Sequence, residues 1–227
     1  MAWLLLALLA CGPKATPAPA ASPPTPAETR AALERGDFAT ARTGLEYGIA
    51  VDPLNPDPYL QLTRIYAASD RPVWALLYGE AFLLLEPYSA RSAEVSALLV
   101  AVHGRLARQA PRASQDPYEA ALTTGLSNAL NASGGRADLP GIVAWRQALP
   151  DHLSASDPLI DWHRRLRDAG HLEAYSWWLL RAGDPESFAV WTADHESEVQ
   201  ALRDFLNAEA FQPGRDGLIG RAAQPRP

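Results

Sequence analysis

The amino-acid sequence predicts an all-α protein, and three observations favour this fold class. Helix-start signals recur along the chain, because a capping residue is followed by proline at Thr25-Pro26, Asp116-Pro117, Asp157-Pro158 and Asp184-Pro185. Between residues 27 and 110, residues of matching size recur at one fixed spacing. No alternation of apolar and polar residues is long enough to indicate a strand. We therefore expect helices throughout the folded part.

The composition is that of a globular protein with an acidic balance. Of the 227 residues, 48% are hydrophobic and 20% are charged, and the formal net charge is -6. Binding to phosphate backbones requires clustered cations. The sequence therefore predicts no nucleic-acid partner.

The N-terminus contains the only cysteine of the chain. Residues 1–10 are almost wholly apolar, but about ten residues span only about half of a bilayer core, so they indicate a signal peptide. Leu8, Leu9 and Ala10 lead into Cys11, and this arrangement resembles the lipobox of bacterial lipoproteins. The resemblance implies that Cys11 is lipidated and that acyl chains are the only contact with the membrane. The alternative is a cytosolic protein with an incidental cysteine.

The residues after Cys11 predict the location and a tether. In Gram-negative lipoproteins, Asp directly after the cysteine often retains the protein at the inner membrane, so Gly12 favours the outer membrane, facing the periplasm. The segment Gly12 to Pro26 holds six prolines and no large apolar side chain. This segment, which together with the lipidated Cys11 makes up residues 11–26, is therefore expected to form an extended tether of roughly 45 Å, at about 3.1 Å per residue.

The fixed spacing between residues 27 and 110 is 34 residues, and it relates Ala41 to Ala75, Pro53 to Pro87, and Arg30 to Arg64. Tyr59, Leu62 and Tyr66 occupy the large apolar positions of one helix, whereas Gly79 stands where a large residue is expected. The pattern resembles the tetratricopeptide repeat. This resemblance implies helical hairpins that form a short right-handed α-solenoid.

Beyond residue 110 the period fails, but helix signals continue through residues 111–212. They predict helices near 117–131, 140–149, 158–169, 172–182, 185–193 and 195–209. The stretch GHLEAYSWWLLRAGDPESFAVW is similar to a segment of uncharacterised bacterial proteins that also carry these repeats, which implies no activity. Residues 213–227 lack periodicity and are expected to form a disordered tail.

The partner-binding surface is expected on the concave face of the repeats, because first helices of tetratricopeptide repeats usually bind partners there. In this register the face comprises Arg30, Glu34, Asp57, Leu60, Arg64, Arg91 and Glu94. Arg30 and Arg64 stand one repeat apart, which suits the binding of carboxylates. The alternative is ordinary solvated helix surface.

Two adjacent tryptophans indicate a second candidate site. The side chains of Trp177 and Trp178 point about 100° apart on a helix, so they cannot both point squarely into one core. One of them can line a groove that stacks sugars or a peptide. The alternative is that both pack in the core.

Catalytic motifs are not recognisable, and we predict neither a metal site nor a cofactor. Asp161, His163 and His171 could converge across a helix hairpin, but their spacing fixes no geometry, and we interpret these histidines as surface or interhelical residues. A buried histidine and carboxylate in a deep pocket would indicate an enzyme, whereas a flat surface would oppose it.

The sequence thus predicts a membrane-anchored, non-catalytic adaptor that binds a protein or peptide partner at the bacterial envelope. Two alternatives remain open. The C-terminal half could bind a glycan or small ligand through its tryptophans, or the protein could be an enzyme of unrecognised type.

Overall fold

The computed structural model describes residues 22–109, 114–153, 157–209 and 211–214. These ranges contain helices and no strand, which confirms the all-α fold class. The helices are α1 Pro26–Arg35, α2 Phe38–Val51, α3 Pro56–Ala67, α4 Val73–Leu85, α5 Ala90–Arg108, α6 Pro117–Ala132, α7 Leu139–His152, α8 Pro158–Asp168, α9 Leu172–Leu180, α10 Pro185–Asp194 and α11 Glu196–Glu209. In these ranges no helix combines the length and apolarity that crossing a bilayer requires. The signal peptide, Cys11 and most of the tether lie outside the described residues.

Helices begin where the capping residues predict. The Thr25 hydroxyl accepts a hydrogen bond from the backbone N–H of Glu28 at 3.3 Å, and the Glu28 carboxylate accepts one from the Thr25 N–H at 2.8 Å. Asp116 and Asp157 cap α6 and α8 through their carboxylates. Each cap satisfies backbone donors that the first turn of a helix leaves free.

Neighbouring hairpins form the N-terminal part, since α1 packs on α2, α2 on α3, α3 on α4 and α4 on α5. Ala41 and Ala75, which are one period apart, are both fully buried. A Cβ atom on Gly79 would lie 2.6 Å from Cδ2 of Leu99 in α5. The close approach of α5 therefore explains why a glycine interrupts the pattern here.

The C-terminal half packs on the repeats and shares one hydrophobic core with them, which runs from Leu45 to Phe211. Helix α9 lies at its centre and contacts α5, α7, α8 and α11. Between the halves, Trp74 of α4 stacks on Tyr118 of α6, with ring centroids 5.6 Å apart. The two regions are thus parts of one folded body.

The chain end corrects one expectation. Phe211 is buried with its ring 6.2 Å from that of Trp162, and Pro213 is also buried. A Cβ atom on Gly214 would lie 2.5 Å from the ring of Pro53, so this residue packs on the α2–α3 loop. The described structure therefore extends two residues beyond the predicted boundary at residue 212, while 215–227 lie outside the described residues.

Candidate functional site

A groove of about 530 Å³ lies between α1, α2 and α3, and we call it the repeat groove. Its walls come from all three helices and include Arg30, Leu33, Tyr47, Val51, Asp57 and Gln61. Tyr47 and Val51 are exposed although they are apolar. Gly44 allows α1 and α2 to meet closely, because a Cβ atom there would lie 1.9 Å from the Thr29 hydroxyl oxygen. The groove therefore combines apolar walls with charged groups.

Two of the seven residues predicted for partner binding, Arg30 and Asp57, line the repeat groove. Arg30 is exposed, and among the described residues nothing pairs with its guanidinium. Arg64 instead donates two hydrogen bonds to Glu94, at 3.0 and 2.8 Å. Arg91 donates to Asp57 at 2.7 Å and also pairs with Glu86. Of Arg30 and Arg64, the two arginines predicted to suit carboxylates, only Arg30 lacks an ion-pair partner within the described ranges.

Leu60 and Glu34 correct the predicted surface further. Leu60 is only 2% exposed, because α3 is enclosed by α2, α4 and α5, so it cannot contact a partner. Glu34 is exposed on α1 but does not line the repeat groove. The helical register identified the first helices, but it could not show which of their residues the neighbouring helices cover.

The two adjacent tryptophans have different environments. Trp177 is buried and stacks on Trp191, with ring centroids 5.3 Å apart and planes 14° apart. Trp178 is half-buried and lines a second groove of about 420 Å³, formed by α9, α10, α11 and the α4–α5 loop, which we call the tryptophan groove. Of the pair, only Trp178 can contact a ligand directly.

Arg181 is held beside two rings of the tryptophan groove. Its guanidinium carbon lies 5.0 Å from the ring centre of Trp178 and 5.7 Å from that of Tyr88. It donates hydrogen bonds to the backbone carbonyls of Trp178, at 2.7 Å, and of Pro87. Burial lowers the pKa of Arg181 from its ordinary value, because removal from water disfavours the charged form.

A buried polar cluster joins the two halves, and we call it the Glu80 cluster. The Glu80 carboxylate of α4 accepts hydrogen bonds from Arg146 Nη2 of α7 at 2.9 Å and from the Tyr175 hydroxyl of α9 at 2.7 Å. Nε2 of His163 in α8 lies 2.6 Å from the same carboxylate. Burial alone would raise the pKa of Glu80, but the Arg146 charge and His163 outweigh burial and hold it well below its usual range.

The space beside the Glu80 cluster is small. A cavity of about 20 Å³ lies against Glu80, His103 and His163, and this volume accommodates about one water molecule. The buried histidine and carboxylate that would indicate an enzyme are thus present, but the cavity beside them is too small for a substrate. Burial and the nearby Arg146 charge lower the pKa of His103 to about 3, so its imidazole is neutral at pH 7.

The three residues considered for convergence lie apart. Asp161 pairs at the surface with Arg164 at 2.6 Å, and the His171 ring packs on Phe205 with centroids 4.8 Å apart. His163 faces Glu80 instead. Over the described ranges, no group of three His, Cys, Asp or Glu residues is placed to hold a metal ion.

Sequence reasoning missed the Glu80 cluster, although a signal was present. Glu80 stands alone as a charge in the apolar helix VWALLYGEAFLLL, and Arg146 does the same within LPGIVAWRQALP. A charge inside an apolar helix requires a buried partner. Nothing in the sequence spacing shows that the two partners lie 66 residues apart.

Comparison with known proteins returns no relative. No protein-family model matches the chain, no curated protein matches it, and no solved structure matches it. Function is therefore inferred from the sequence and from the geometry of the two grooves.

Proposed function

We propose that the protein is a lipid-anchored, non-catalytic adaptor with tetratricopeptide-like repeats, which binds a protein or peptide partner at the bacterial envelope. The observation that carries this proposal is the repeat groove with Arg30, whose guanidinium has no ion-pair partner among the described residues. The partner is an extended segment that lies along α1, α2 and α3, and the location is the outer membrane, facing the periplasm.

The walls of the repeat groove suit a polypeptide segment. Tyr47 and Val51 offer apolar surface that water otherwise contacts, and their burial by a partner would be favourable. Asp57 and Gln61 add groups that can hydrogen-bond to a peptide backbone. A groove with apolar walls and a few polar groups is the usual form of a helical recognition surface.

Arg30 specifies the chemistry of the partner. No carboxylate of the described ranges pairs with this exposed guanidinium, which can therefore form a charge-assisted, bidentate hydrogen bond with a partner. We therefore expect the bound segment to carry an acidic side chain or a terminal carboxylate next to Arg30.

The predicted anchor suits this groove. Pro24 and Pro26, which end the tether, are themselves part of the groove wall. A partner held in the groove would therefore lie where the tether joins the folded body. Replacement Cys11→Ser is expected to abolish incorporation of labelled palmitate and to release the protein from the membrane fraction. If Cys11→Ser still incorporates palmitate and still remains in the membrane fraction, the proposed anchor is refuted, whereas the proposal for the repeat groove is unaffected.

Cross-linking in the cells that produce the protein tests the groove. We expect a cross-linked partner with the wild type, and roughly a tenfold or greater loss with Arg30→Glu, because a charge-assisted hydrogen bond becomes a repulsion. Arg35→Glu is the matched control, since Arg35 is exposed on the same helix but does not line the groove. Equal capture by all three proteins would refute the role of the repeat groove.

A second candidate function is the binding of a glycan or small ligand in the tryptophan groove. It is favoured by the placement of Trp178 and Tyr88 along a groove of about 420 Å³. Such a volume lies within the usual range of small-molecule pockets, about 300 to 1,000 Å³. Chemical-shift changes of the Trp178 indole on addition of a ligand would support this function, and their absence with both saccharides and apolar ligands would exclude it.

A further inference from the structure

We propose that the tryptophan groove binds a small monocarboxylate with an apolar body, whose carboxylate pairs with Arg181 and whose body packs between α9, α10 and α11. This inference rests on the second candidate function and names its ligand class. It is independent of the adaptor proposal, because the two grooves lie on different helices.

Arg181 is fixed in place before any ligand binds. Two backbone carbonyls, those of Trp178 and Pro87, accept hydrogen bonds from its two terminal nitrogens. The rings of Tyr88 and Trp178 contact its guanidinium. An arginine has five N–H donors, so these contacts orient the group and leave donors for a ligand. A preorganised donor reduces the entropy that binding must offset.

The charge of Arg181 has no anionic partner in the described part of the chain. Arg146, Arg64 and Arg91 each form an ion pair, whereas the contacts of Arg181 are with carbonyls and rings only. Arg203 adds a second cation to the groove wall, and none of the described residues that line it is an aspartate or glutamate. A half-buried cation without a counter-charge is unfavourable, and a ligand carboxylate would relieve this.

The rest of the wall selects an apolar body. The apolar side chains of this wall are Phe188, Val199, Leu202 and Leu206. Among the described lining residues, uncharged polar groups come only from Thr192, Asn207, the Tyr88 hydroxyl and the Trp178 indole. A sugar would bring many hydroxyl groups that this wall cannot satisfy. The guanidinium of Arg181 also lies against the Trp178 ring, where a sugar would stack. These features favour an acyl or aryl carboxylate over a glycan.

Equilibrium dialysis of the purified full chain with labelled octanoate tests the proposal, with 1-octanol as the neutral analogue of equal chain length. The variants are Arg181→Gln, Arg203→Gln and the control Arg165→Gln. Arg165 is a suitable control because its guanidinium also lies over a tryptophan, 5.0 Å from the centre of Trp162, but outside the tryptophan groove.

We expect the wild type and Arg165→Gln to bind octanoate with equal affinity. The affinity of Arg181→Gln should be at least tenfold lower, and that of Arg203→Gln should be intermediate. Octanol is expected to bind at least tenfold more weakly than octanoate. If circular dichroism shows that Arg181→Gln does not fold, Arg203→Gln and the comparison of octanol with octanoate decide the test.

Three outcomes would overturn the inference. Unchanged octanoate affinity in both groove variants would show that the arginines do not bind the carboxylate. Equal affinity for octanol would show an apolar site without selectivity for anions. Absence of octanoate binding up to about 1 mM, where the free energy of binding is only about -4 kcal/mol, would exclude the ligand class. In that last case, binding of a neutral saccharide to the groove would keep the second candidate function, and absence of both would remove it.

Discussion

Two ion-pair networks of this protein use the same chemical groups in opposite environments. Between α3 and α5, Arg64 and Glu94 pair while their side chains remain 41% and 51% exposed. Between the two halves, Arg146 and Glu80 pair while only 3% and 2% exposed. The exposed pairs can exchange with water or a partner at little cost, whereas the buried pair cannot.

This difference indicates that the buried ion pair stabilises the fold, whereas the exposed ion pairs lie on a surface that a partner can contact. The Glu80 cluster joins α4, α7, α8 and α9 and so fixes the C-terminal half on the repeats. The surface of the first helices carries charges that a partner can compete for, and the repeat groove lies next to them. We therefore expect stability to depend on the buried network and binding to depend on the exposed surface.

The largest expected effect follows from breaking the buried pair. Arg146→Met leaves the Glu80 carboxylate buried without its guanidinium and should lower the free energy of unfolding by about 3–5 kcal/mol. The double variant Glu80→Leu/Arg146→Met should recover only part of this loss. It removes the buried carboxylate, but Tyr175 and His163 then lose the group that they share. Urea denaturation measures both. A loss below about 1 kcal/mol in the single variant would place this pair in the same class as surface pairs.

The next effect concerns pH and the histidine beside the Glu80 cluster. The pKa of His103 is lowered to about 3 in the folded state, whereas an unfolded histidine titrates near 6.5. Between these values only the unfolded chain takes up this proton, so its contribution to stability is lost as pH falls, by up to about 1.4 kcal/mol per pH unit.

The comparison of wild type with His103→Gln isolates this contribution. Between pH 6.5 and 5, the wild type should lose about 2 kcal/mol more than the variant. This pH range lies above the pKa of an ordinary glutamate, and the pKa of Glu80 is lower still, so protonation of Glu80 does not interfere. Denaturation curves at several pH values provide the measurement. Parallel pH dependences would contradict the burial of a neutral imidazole.

A smaller effect on stability is expected where α1 packs closely on α2. Gly44→Ala places a methyl group 1.9 Å from the Thr29 hydroxyl oxygen and should cost about 1–3 kcal/mol as α1 moves away from α2. Gly48→Ala is the matched control, because its methyl group meets only Pro58 at 3.5 Å and helix propensity favours alanine. Thermal unfolding should rank Gly48→Ala at or above the wild type. The reverse ranking would contradict the described packing of α1 on α2.

The smallest effect is expected at the exposed ion pair. Arg64→Ala should lower the free energy of unfolding by no more than about 1 kcal/mol, because both partners are well solvated. The remaining difference should vanish at about 1 M salt, where screening is strong. Urea titrations at low and high salt test this. A loss comparable to that of Arg146→Met would remove the distinction between the two networks.

Local signals predicted most of the fold. The caps at Thr25, Asp116 and Asp157 mark helix starts because capping depends on residues within one turn. Trp177 is buried while Trp178 lines the tryptophan groove, because neighbouring side chains on a helix point about 100° apart.

Tertiary contacts explain what the sequence did not predict. Burial of Leu60 depends on α2, α4 and α5, and pairing of Arg64 depends on a residue 30 positions away. Pro213 and Gly214 belong to no periodic pattern, but Pro213 is buried and Gly214 packs on Pro53, which is distant in sequence. Such contacts are set by the packing of whole helices, which spacing along the chain does not encode.

The adaptor proposal is tested most directly by photo-cross-linking from inside each groove. Tyr47 lines the repeat groove and Tyr88 lines the tryptophan groove, and both are exposed, so each can be replaced by p-benzoylphenylalanine with little change in shape. In cells that produce the protein, we expect a cross-linked polypeptide from position 47 and none from position 88, with the product at position 47 lost on adding Arg30→Glu. Cross-linking to a polypeptide from position 88 alone, or from neither position, would contradict binding of a partner in the repeat groove.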